Sequence, residues 1–316
     1  MQEPIRLGDP HLGKVFRNGV PLNRKGDREK SQWQDFEASI RSSNGLHICV
    51  GDLFDEFHVP YDVVLKAALI YKSEARKHPS NTYIVMRGNH DASRIAGEIS
   101  AYAVFAELLR DIPNVVVLED APHIEGKRLF VPWHPFSSAI EMLTPYSNKS
   151  FDEVYGHWDV RDFGNSNPNL LPVERLRNMC PLVFTGHEHK PQASTYSGFK
   201  LIQTGSMQPY AHGQDDPLNP NPKYRTFTLP EFEALSESTH DLCLRIRLRP
   251  GEVPPENIDC LQLTLESLRM DAQGEEIAEV KMEDFDLKTL FEEACDEHDV
   301  AEPTREKVWQ DFRTEH

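Results

Sequence analysis

The sequence Arg87-Gly88-Asn89-His90-Asp91 directly follows the apolar run Tyr83-Ile84-Val85-Met86. A β-rich run that stops at a glycine predicts a strand, and the polar side chains after it predict a ligand loop at the strand's end. Polar residues follow or end a short apolar run in four more places: Asp9-Pro10-His11, Gly51-Asp52-Leu53-Phe54-Asp55, Gly156-His157 and Gly186-His187-Glu188-His189. Together the five stretches predict strands that deliver ligands to one site.

Loops at the carboxyl ends of neighbouring strands tend to meet at one edge of an open α/β sheet. We therefore expect seven nitrogen and oxygen donors to face each other: Asp9, His11, Asp52, Asn89, His157, His187 and His189. Seven donors are too many for one ion. They suit two ions, about 3.5 to 4 Å apart, that share one carboxylate, and Asp52 is the natural bridge.

Carboxylate and imidazole ligands without thiolate favour Mn²⁺, Fe²⁺ or Zn²⁺ and leave the choice among them open. Two such ions lower the pKa of a bound water and offset negative charge on a phosphate, so the pattern predicts phosphoester hydrolysis. His90 follows Asn89 and points elsewhere if Asn89 coordinates a metal. We expect His90 to protonate the leaving oxygen and Asp55 to hold the other ring nitrogen.

One ligand position has two candidates. His134, in Val131-Pro132-Trp133-His134-Pro135, also follows a predicted strand. We prefer His157 because a glycine precedes it, as in the other ligand loops.

The order of apolar patterns predicts an α/β fold. Strands at Ile5-Arg6-Leu7, His47 to Val50 and Tyr83 to Met86 alternate with helices that begin near Asp27 and Tyr61. After a helix from Ala101 to Leu109, short strands predominate, and they predict a sandwich-like core that ends near residue 215. The prolines between 217 and 222 predict a linker. Beyond it, Leu242 to Leu248 and Cys260 to Leu265 alternate in period two and predict a small β-containing domain, and residues from 286 onward predict helix.

Composition narrows the class of protein. The chain has 316 residues, no apolar run of membrane-spanning length and no signal peptide at its start, so we expect a cytoplasmic enzyme. Its five scattered cysteines indicate a reducing compartment. The net charge of -17 counts against a nucleic-acid partner, but lysine and arginine predominate between residues 14 and 30. That basic segment is either a solvated loop or a surface that faces DNA.

The five ligand stretches, in this order, resemble the calcineurin-like metallophosphoesterase superfamily. Within it, His11-Leu12-Gly13, the Gly51 to Asp55 stretch and Gly205-Ser206 resemble SbcD-type nucleases of bacteria or phage. The resemblance implies a four-layer α/β/β/α sandwich over residues 1–215, a smaller α+β capping domain over 223–282 and a helical tail over 283–316. It also implies Mn²⁺-dependent cleavage of DNA phosphodiesters.

The resemblance assigns roles by position. Asp9, His11, Asp52 and His189 are expected to bind one ion, and Asp52, Asn89, His157 and His187 the other. His90 is the expected catalytic acid, oriented by Asp55. An SbcC-like coiled-coil ATPase and a second copy of the chain are the expected partners besides DNA. The apolar stripe of the tail (Leu287, Leu290 and Phe291) either packs on its own domain or holds the ATPase. The expected DNA contacts are Lys14, Arg17, Arg24, Lys25 and Arg94.

The metal centre alone also fits a free-standing phosphodiesterase or phosphatase that acts on a small nucleotide or a phosphoprotein. A non-catalytic scaffold is a third reading of the fold, but it predicts lost ligands, and every expected ligand is present.

Overall fold

The computed structural model describes residues 3–95, 97–161, 167–214, 223–268 and 304–305. Its helices are α1 Asp27–Arg41, α2 Tyr61–Lys77, α3 Ala101–Leu109, α4 Ala139–Leu143, α5 Val173–Leu176 and α6 Leu229–Glu233. Its strands are β1 Ile5–Leu7, β2 Leu46–Cys49, β3 Thr82–Met86, β4 Val115–Leu118, β5 His123–Glu125, β6 Arg128–Phe130, β7 Glu153–Gly156, β8 Leu182–Thr185, β9 Gln192–Tyr196, β10 Phe199–Gln203, β11 Lys223–Thr228, β12 Leu242–Leu248 and β13 Gln262–Ser267. Within these residues, no helix combines the length and apolar character that a membrane crossing needs.

The first sheet has the order β1-β2-β3-β4, and all its neighbouring strands are parallel. Parallel strands require crossover connections, and α1, α2 and α3 supply them. Phe36 and Ile40 of α1, Tyr71 of α2 and Phe105 of α3 are fully buried in one apolar cluster on this face of the sheet. The helices therefore form the outer layer that the sequence pattern predicts.

The second sheet has the order β5-β6-β7-β8-β10-β9. Its central strands are parallel, and antiparallel pairs close both edges. Leu143 of α4 and Leu176 of α5 join a second buried cluster with Val154 and Val183 of the sheet. These two short helices lie on its outer face.

The two sheets pack face to face through a third apolar cluster. Ile48 and Ile84 come from the first sheet, and Phe130, Tyr155 and Phe184 come from the second. The three aromatic rings stack in series, with 4.8 Å between neighbouring centroids. The predicted four-layer α/β/β/α sandwich is confirmed, and its strands end where the ligand loops begin.

A separate three-stranded parallel sheet, in the order β11-β12-β13, follows the sandwich. Leu229 of α6 packs with Ile246 and Leu248 of β12. The predicted strand Leu242 to Leu248 is confirmed, and its neighbour begins at Gln262 rather than Cys260. The predicted linker at 217–222, the end of the capping segment after 268 and nearly all of the tail lie outside the described residues.

Candidate metal centre

The expected ligands follow the carboxyl ends of parallel strands in both sheets. In the first sheet, Asp9 follows β1, Asp52 follows β2 and Asn89 follows β3; in the second, His157 follows β7 and His187 follows β8. The inner faces of the sheets are packed together, so these strand ends meet at one end of the sandwich. The structure brings the seven predicted ligands together there.

The first ligand group consists of Asp9, His11 and His189, whose ligand atoms all lie within 4.8 Å of one another. The Nε2 atoms of His11 and His189 are 2.9 Å apart. Two imidazoles that approach with the same ring nitrogen form one side of a cation site.

The second group consists of Asp52, His157 and His187, again within 4.8 Å. Asn89 belongs with it, because its Oδ1 lies 3.0 Å from His157 Nε2 and 2.8 Å from His187 Nδ1. Asp52 Oδ2 is 3.2 Å from His157 Nε2 and 3.8 Å from His11 Nε2. Asp52 therefore faces both groups, as a bridging carboxylate does.

The hydrogen-bond pattern shows that these residues fit a cation. His157 Nδ1 lies 3.0 Å from the carbonyl oxygen of Val50, to which it donates its hydrogen. In a neutral ring, Nε2 then offers only a lone pair, and it points at the oxygens of Asp52 and Asn89. A cation, either a proton or a metal ion, has to lie between these atoms. Asp9 Oδ1 is also buried without a hydrogen-bond partner among the described residues, so the centre fits metal ions held by nitrogen and oxygen donors.

Buried carboxylate charge gives the centre its attraction for cations. Burial lowers the pKa of His157, but the charges of Asp52 and Asp9 outweigh burial and raise that pKa to about 10. Burial raises the pKa of Asp9 above its ordinary value. His157 has to lose its proton before Nε2 can bind a metal, so metal affinity is expected to fall with falling pH.

Three ligand residues have left-handed backbone conformations, with φ of 47° at His11, 46° at Asp52 and 76° at His187. Among the described non-glycine residues, only Asn257 shares this feature. Such conformations cost about 1–3 kcal/mol each and persist where the surrounding structure imposes them. The strain in this fold is concentrated at the metal centre.

Asp91 ties two ligand loops together. Its carboxylate accepts hydrogen bonds from the main-chain N–H groups of Leu53 (3.1 Å), Phe54 (2.9 Å) and Gly88 (2.9 Å). Gly88 also has to be a glycine, because a Cβ there would overlap the main-chain nitrogen and the carboxylate of Asp52. The sequence shows Asp91 within the ligand motif but does not reveal this structural role.

A sequence model described as calcineurin-like phosphoesterase matches residues 7–191, a segment that contains all seven ligands. The chain belongs to this family. The family typically binds two divalent metal ions, and the two groups around Asp52 are the candidate ligands for them. Metal-dependent phosphoester hydrolysis is the reaction that this membership indicates.

Two solved structures are similar to part of the chain. A phosphopantetheinyl hydrolase from Mycobacterium tuberculosis is 13% identical, with a TM-score of 0.39, over 68% of this chain and 99% of that one. A dimetal phosphatase from Danio rerio is 14% identical, with a TM-score of 0.38, over 65% of this chain and 88% of that one. No curated protein sequence matches the chain significantly. The family assignment therefore rests on the match over residues 7–191.

In this calcineurin-like phosphoesterase, the contact between His90 and Asp55 differs from the expected one. His90 Nδ1 lies 2.6 Å from the main-chain carbonyl oxygen of Asp55, not from its carboxylate. The carboxylate instead lies 2.9 Å from Lys14 Nζ and 3.2 Å from His11 Nδ1. Asp55 thus orients His90 through the backbone and holds His11 through its side chain.

The structure distinguishes His157 from His134, the two candidates for one ligand position. His157 is fully buried beside Asp52. His134 Nδ1 accepts hydrogen bonds from the main-chain N–H groups of Phe136 and Ser137. His134 therefore stabilises its own loop, as the preference for His157 requires.

The basic residues expected to contact DNA do not share one environment. Arg17, Lys25 and Arg94 are exposed, and Lys14 is half-buried against Asp55.

The expectation for Arg24 is wrong. Arg24 is only 7% exposed, and its guanidinium binds Asp27, the carbonyl oxygen of His240 and Asp259. These partners occupy the guanidinium beside the loops that precede β12 and β13, so Arg24 lacks the exposure that a phosphate contact requires.

Two supporting residues gave no signal in the sequence. Gln32 of α1 donates from Nε2 to the carbonyl oxygens of Pro10 and His11, both at 2.9 Å. The Tyr210 hydroxyl donates to the same Pro10 oxygen at 2.6 Å, and its ring lies edge-on to His11 and His189. Tyr210 is some 200 residues from Pro10 in the chain, so only the fold reveals that it braces the first ligand loop.

Proposed function

We propose that this calcineurin-like phosphoesterase is a di-metal-dependent DNA nuclease that cleaves phosphodiester bonds as an exonuclease, an endonuclease or both. Its setting would be DNA repair, recombination or replication. The observation that carries the proposal is the pair of ligand groups that Asp52 faces, with an exposed His90 beside them. Mn²⁺ is the metal that we propose, and Fe²⁺ and Zn²⁺ fit the same donors.

The chain's residues have separate tasks in this reaction. Two divalent ions, when bound, supply an activated water and offset the charge of the phosphate. His90 Nδ1 donates to the Asp55 carbonyl oxygen, so His90 in its doubly protonated form has its Nε2–H free to pass a proton to the leaving oxygen and ends as the neutral ring. The main-chain N–H of His90 donates to Asp52 Oδ1 at 2.9 Å. The proton donor and the bridging carboxylate are therefore held in one fixed geometry.

Support for DNA as the substrate comes from two sources. The motif resemblance to SbcD-type nucleases is the first. The second is the set of exposed cations Arg17, Lys25 and Arg94 in loops of the same domain, since phosphate contacts require lysine and arginine.

The partners and the setting are proposals from the same resemblance. We propose an SbcC-like ATPase as the partner, a homodimer as the functional form and the cytoplasm of a bacterium or of a phage-infected cell as the compartment. Cys49, Cys180 and Cys260 are buried free thiols, which agrees with a reducing compartment. Light scattering that finds only monomers would reject the dimer, and a pull-down in which deletion of residues 286–316 leaves ATPase binding unchanged would reject the tail as its docking segment.

The alternative is a free-standing phosphodiesterase or phosphatase for a small nucleotide or a phosphoprotein. The net charge of -17 favours it, and so does Arg24, whose guanidinium is occupied by the C-terminal sheet. Purified protein with Mn²⁺ is to be incubated with linear duplex DNA and with a chromogenic phosphodiester. The nuclease proposal predicts cleavage of both substrates, and turnover of the small ester alone would reject it.

The role of His90 has its own test. The His90→Ala variant is expected to bind two metal ions like the wild type and to lose about 10²- to 10⁴-fold in turnover, the usual contribution of a general acid. The control is His78→Ala, which removes an exposed histidine at the end of α2. Full activity in metal-loaded His90→Ala would show that another group donates the proton.

A further inference from the structure

Three histidines at the metal centre each have one ring nitrogen placed against an oxygen atom. His157 Nδ1 and His90 Nδ1 both lie against main-chain carbonyl oxygens, at 3.0 and 2.6 Å. His187 differs, because its outward nitrogen is Nε2 and its partner is a carboxylate: Asp159 Oδ1, at 2.6 Å. A side-chain partner, unlike a carbonyl, can be removed by mutation.

Asp159 is itself fixed from several directions. Asn167 Nδ2 donates to its second carboxylate oxygen at 2.7 Å. Its main-chain N–H donates to Asn169 and its carbonyl oxygen accepts from Leu171, in a short parallel bridge between the two segments. Asp159 thus has one carboxylate oxygen left over, and that oxygen faces His187.

We propose that Asp159 is a positioning residue that turns the Nδ1 lone pair of His187 toward Asn89 and the second metal position. With Nε2 donating its hydrogen to Asp159, His187 Nδ1 carries only a lone pair, and it points at Asn89 Oδ1, 2.8 Å away. The negative charge of Asp159 also makes the ring a stronger ligand. The effect is expected at one metal position, because the ligand that Asp159 contacts, His187, belongs to the Asp52 group and not to the group formed by Asp9, His11 and His189.

The inference rests on the two-metal centre of the proposed function but not on its substrate. Metal-free full-length protein is to be titrated with Mn²⁺ by calorimetry. Wild type is expected to show two sites. The Asp159→Ala variant is expected to keep one site unchanged and to weaken the other about tenfold to a hundredfold, as losses of such partners do. Asp159→Asn keeps the size and removes the charge, and it is expected to weaken the same site; it carries the test if the alanine variant does not fold.

The control is Asp152→Ala, which removes an exposed aspartate whose Oδ1 lies 3.8 Å from Lys127 Nζ. The free energy of unfolding in EDTA tells a loss of metal affinity from a loss of fold stability. It is expected to be the same for Asp159→Asn and for the wild type. Nitrogen NMR of the Zn²⁺-loaded wild type is expected to show His187 with Nδ1 coordinated and Nε2 protonated.

If both Asp159 variants bound two Mn²⁺ ions with the affinities of the wild type, or if His187 coordinated through Nε2, the inference would be overturned. Wild-type protein that binds no Mn²⁺ would overturn it together with the proposed function. Wild-type protein that binds two ions and hydrolyses no phosphoester would reject the proposed function alone, because neither readout here uses a substrate.

Discussion

Replacing Arg28 by methionine is expected to loosen the C-terminal sheet from the metal-binding domain. Arg28 is 1% exposed, and its guanidinium donates to Tyr224 Oη (2.9 Å), Gln262 Oε1 (3.0 Å) and the buried carbonyl oxygen of Pro209 (3.3 Å). It also lies 3.9 Å from the centre of the Phe16 ring. One side chain therefore joins α1, the loop before the C-terminal sheet and that sheet.

The expected cost follows from these contacts. Methionine fills most of the volume but leaves the oxygens of Pro209 and Gln262 without this donor, at about 1–3 kcal/mol each. The lost cation–π contact with Phe16 adds about 1–2 kcal/mol. Removing a buried charge returns part of this cost, because the desolvation penalty disappears. We expect Arg28→Met to lower the free energy of unfolding by about 2–5 kcal/mol.

Urea denaturation followed by circular dichroism measures this loss. The control is Arg17→Met, which removes an exposed arginine and is expected to change the free energy of unfolding by less than about 0.5 kcal/mol. If Arg28→Met were as stable as the wild type or more stable, desolvation would outweigh the hydrogen bonds, and Arg28 would not be what holds the C-terminal sheet in place.

Three further predictions concern stability. Asp91→Ala is expected to lower the free energy of unfolding by about 3 kcal/mol, because three main-chain N–H groups lose their acceptor; an unchanged melting temperature would contradict this. His47 is buried against Tyr71 and Tyr83, and burial lowers its pKa to about 3. Between about pH 6.5 and pH 3 the unfolded chain therefore binds a proton at His47 that the folded chain does not. The free energy of unfolding is expected to be independent of His47 titration above about pH 6.5 and to fall by about 1.4 kcal/mol per pH unit as the pH falls toward 3. If a His47→Phe variant lost stability as steeply as the wild type between about pH 6.5 and pH 3, His47 would not be the source of this pH dependence. Mn²⁺ at a hundred times its dissociation constant is expected to stabilise the fold by about 2.7 kcal/mol per site, and calorimetry that shows no rise in melting temperature would exclude binding to the folded state.

Local patterns in the sequence are sufficient to predict the sandwich and the ligand loops. The start predicted for α2, near Tyr61, agrees with the structure, because the apolar residues Val64, Ala67, Ala68 and Tyr71 recur at three- and four-residue steps. The strands before the ligand loops were found because each is a compact apolar run that ends in glycine or a ligand. The short edge strands β5 and β9, and β11 after the proline-rich segment, contain too few apolar residues to be predicted from an apolar pattern.

Contacts between residues that are far apart in the chain cannot be predicted from the sequence patterns. The positive charges of Arg24 and Arg28 fit a DNA surface as well as a domain interface, and only their neighbours in the C-terminal sheet decide between the two. The same holds for Asp55, whose carboxylate and carbonyl oxygens serve different histidines. Tyr210 is close to His11 and His189 only in the folded chain.

The central claim is that hydrolysis depends on two ions that share Asp52. The most direct test is the rate of phosphodiester hydrolysis by metal-free protein as Mn²⁺ is added in known equivalents per chain, for the wild type and for Asp52→Asn. The wild type is expected to be inactive without metal and to reach full rate near two equivalents, and Asp52→Asn is expected to lose activity at every ratio. Full activity in EDTA, or saturation of the wild type at one equivalent with Asp52→Asn unimpaired, would contradict the account.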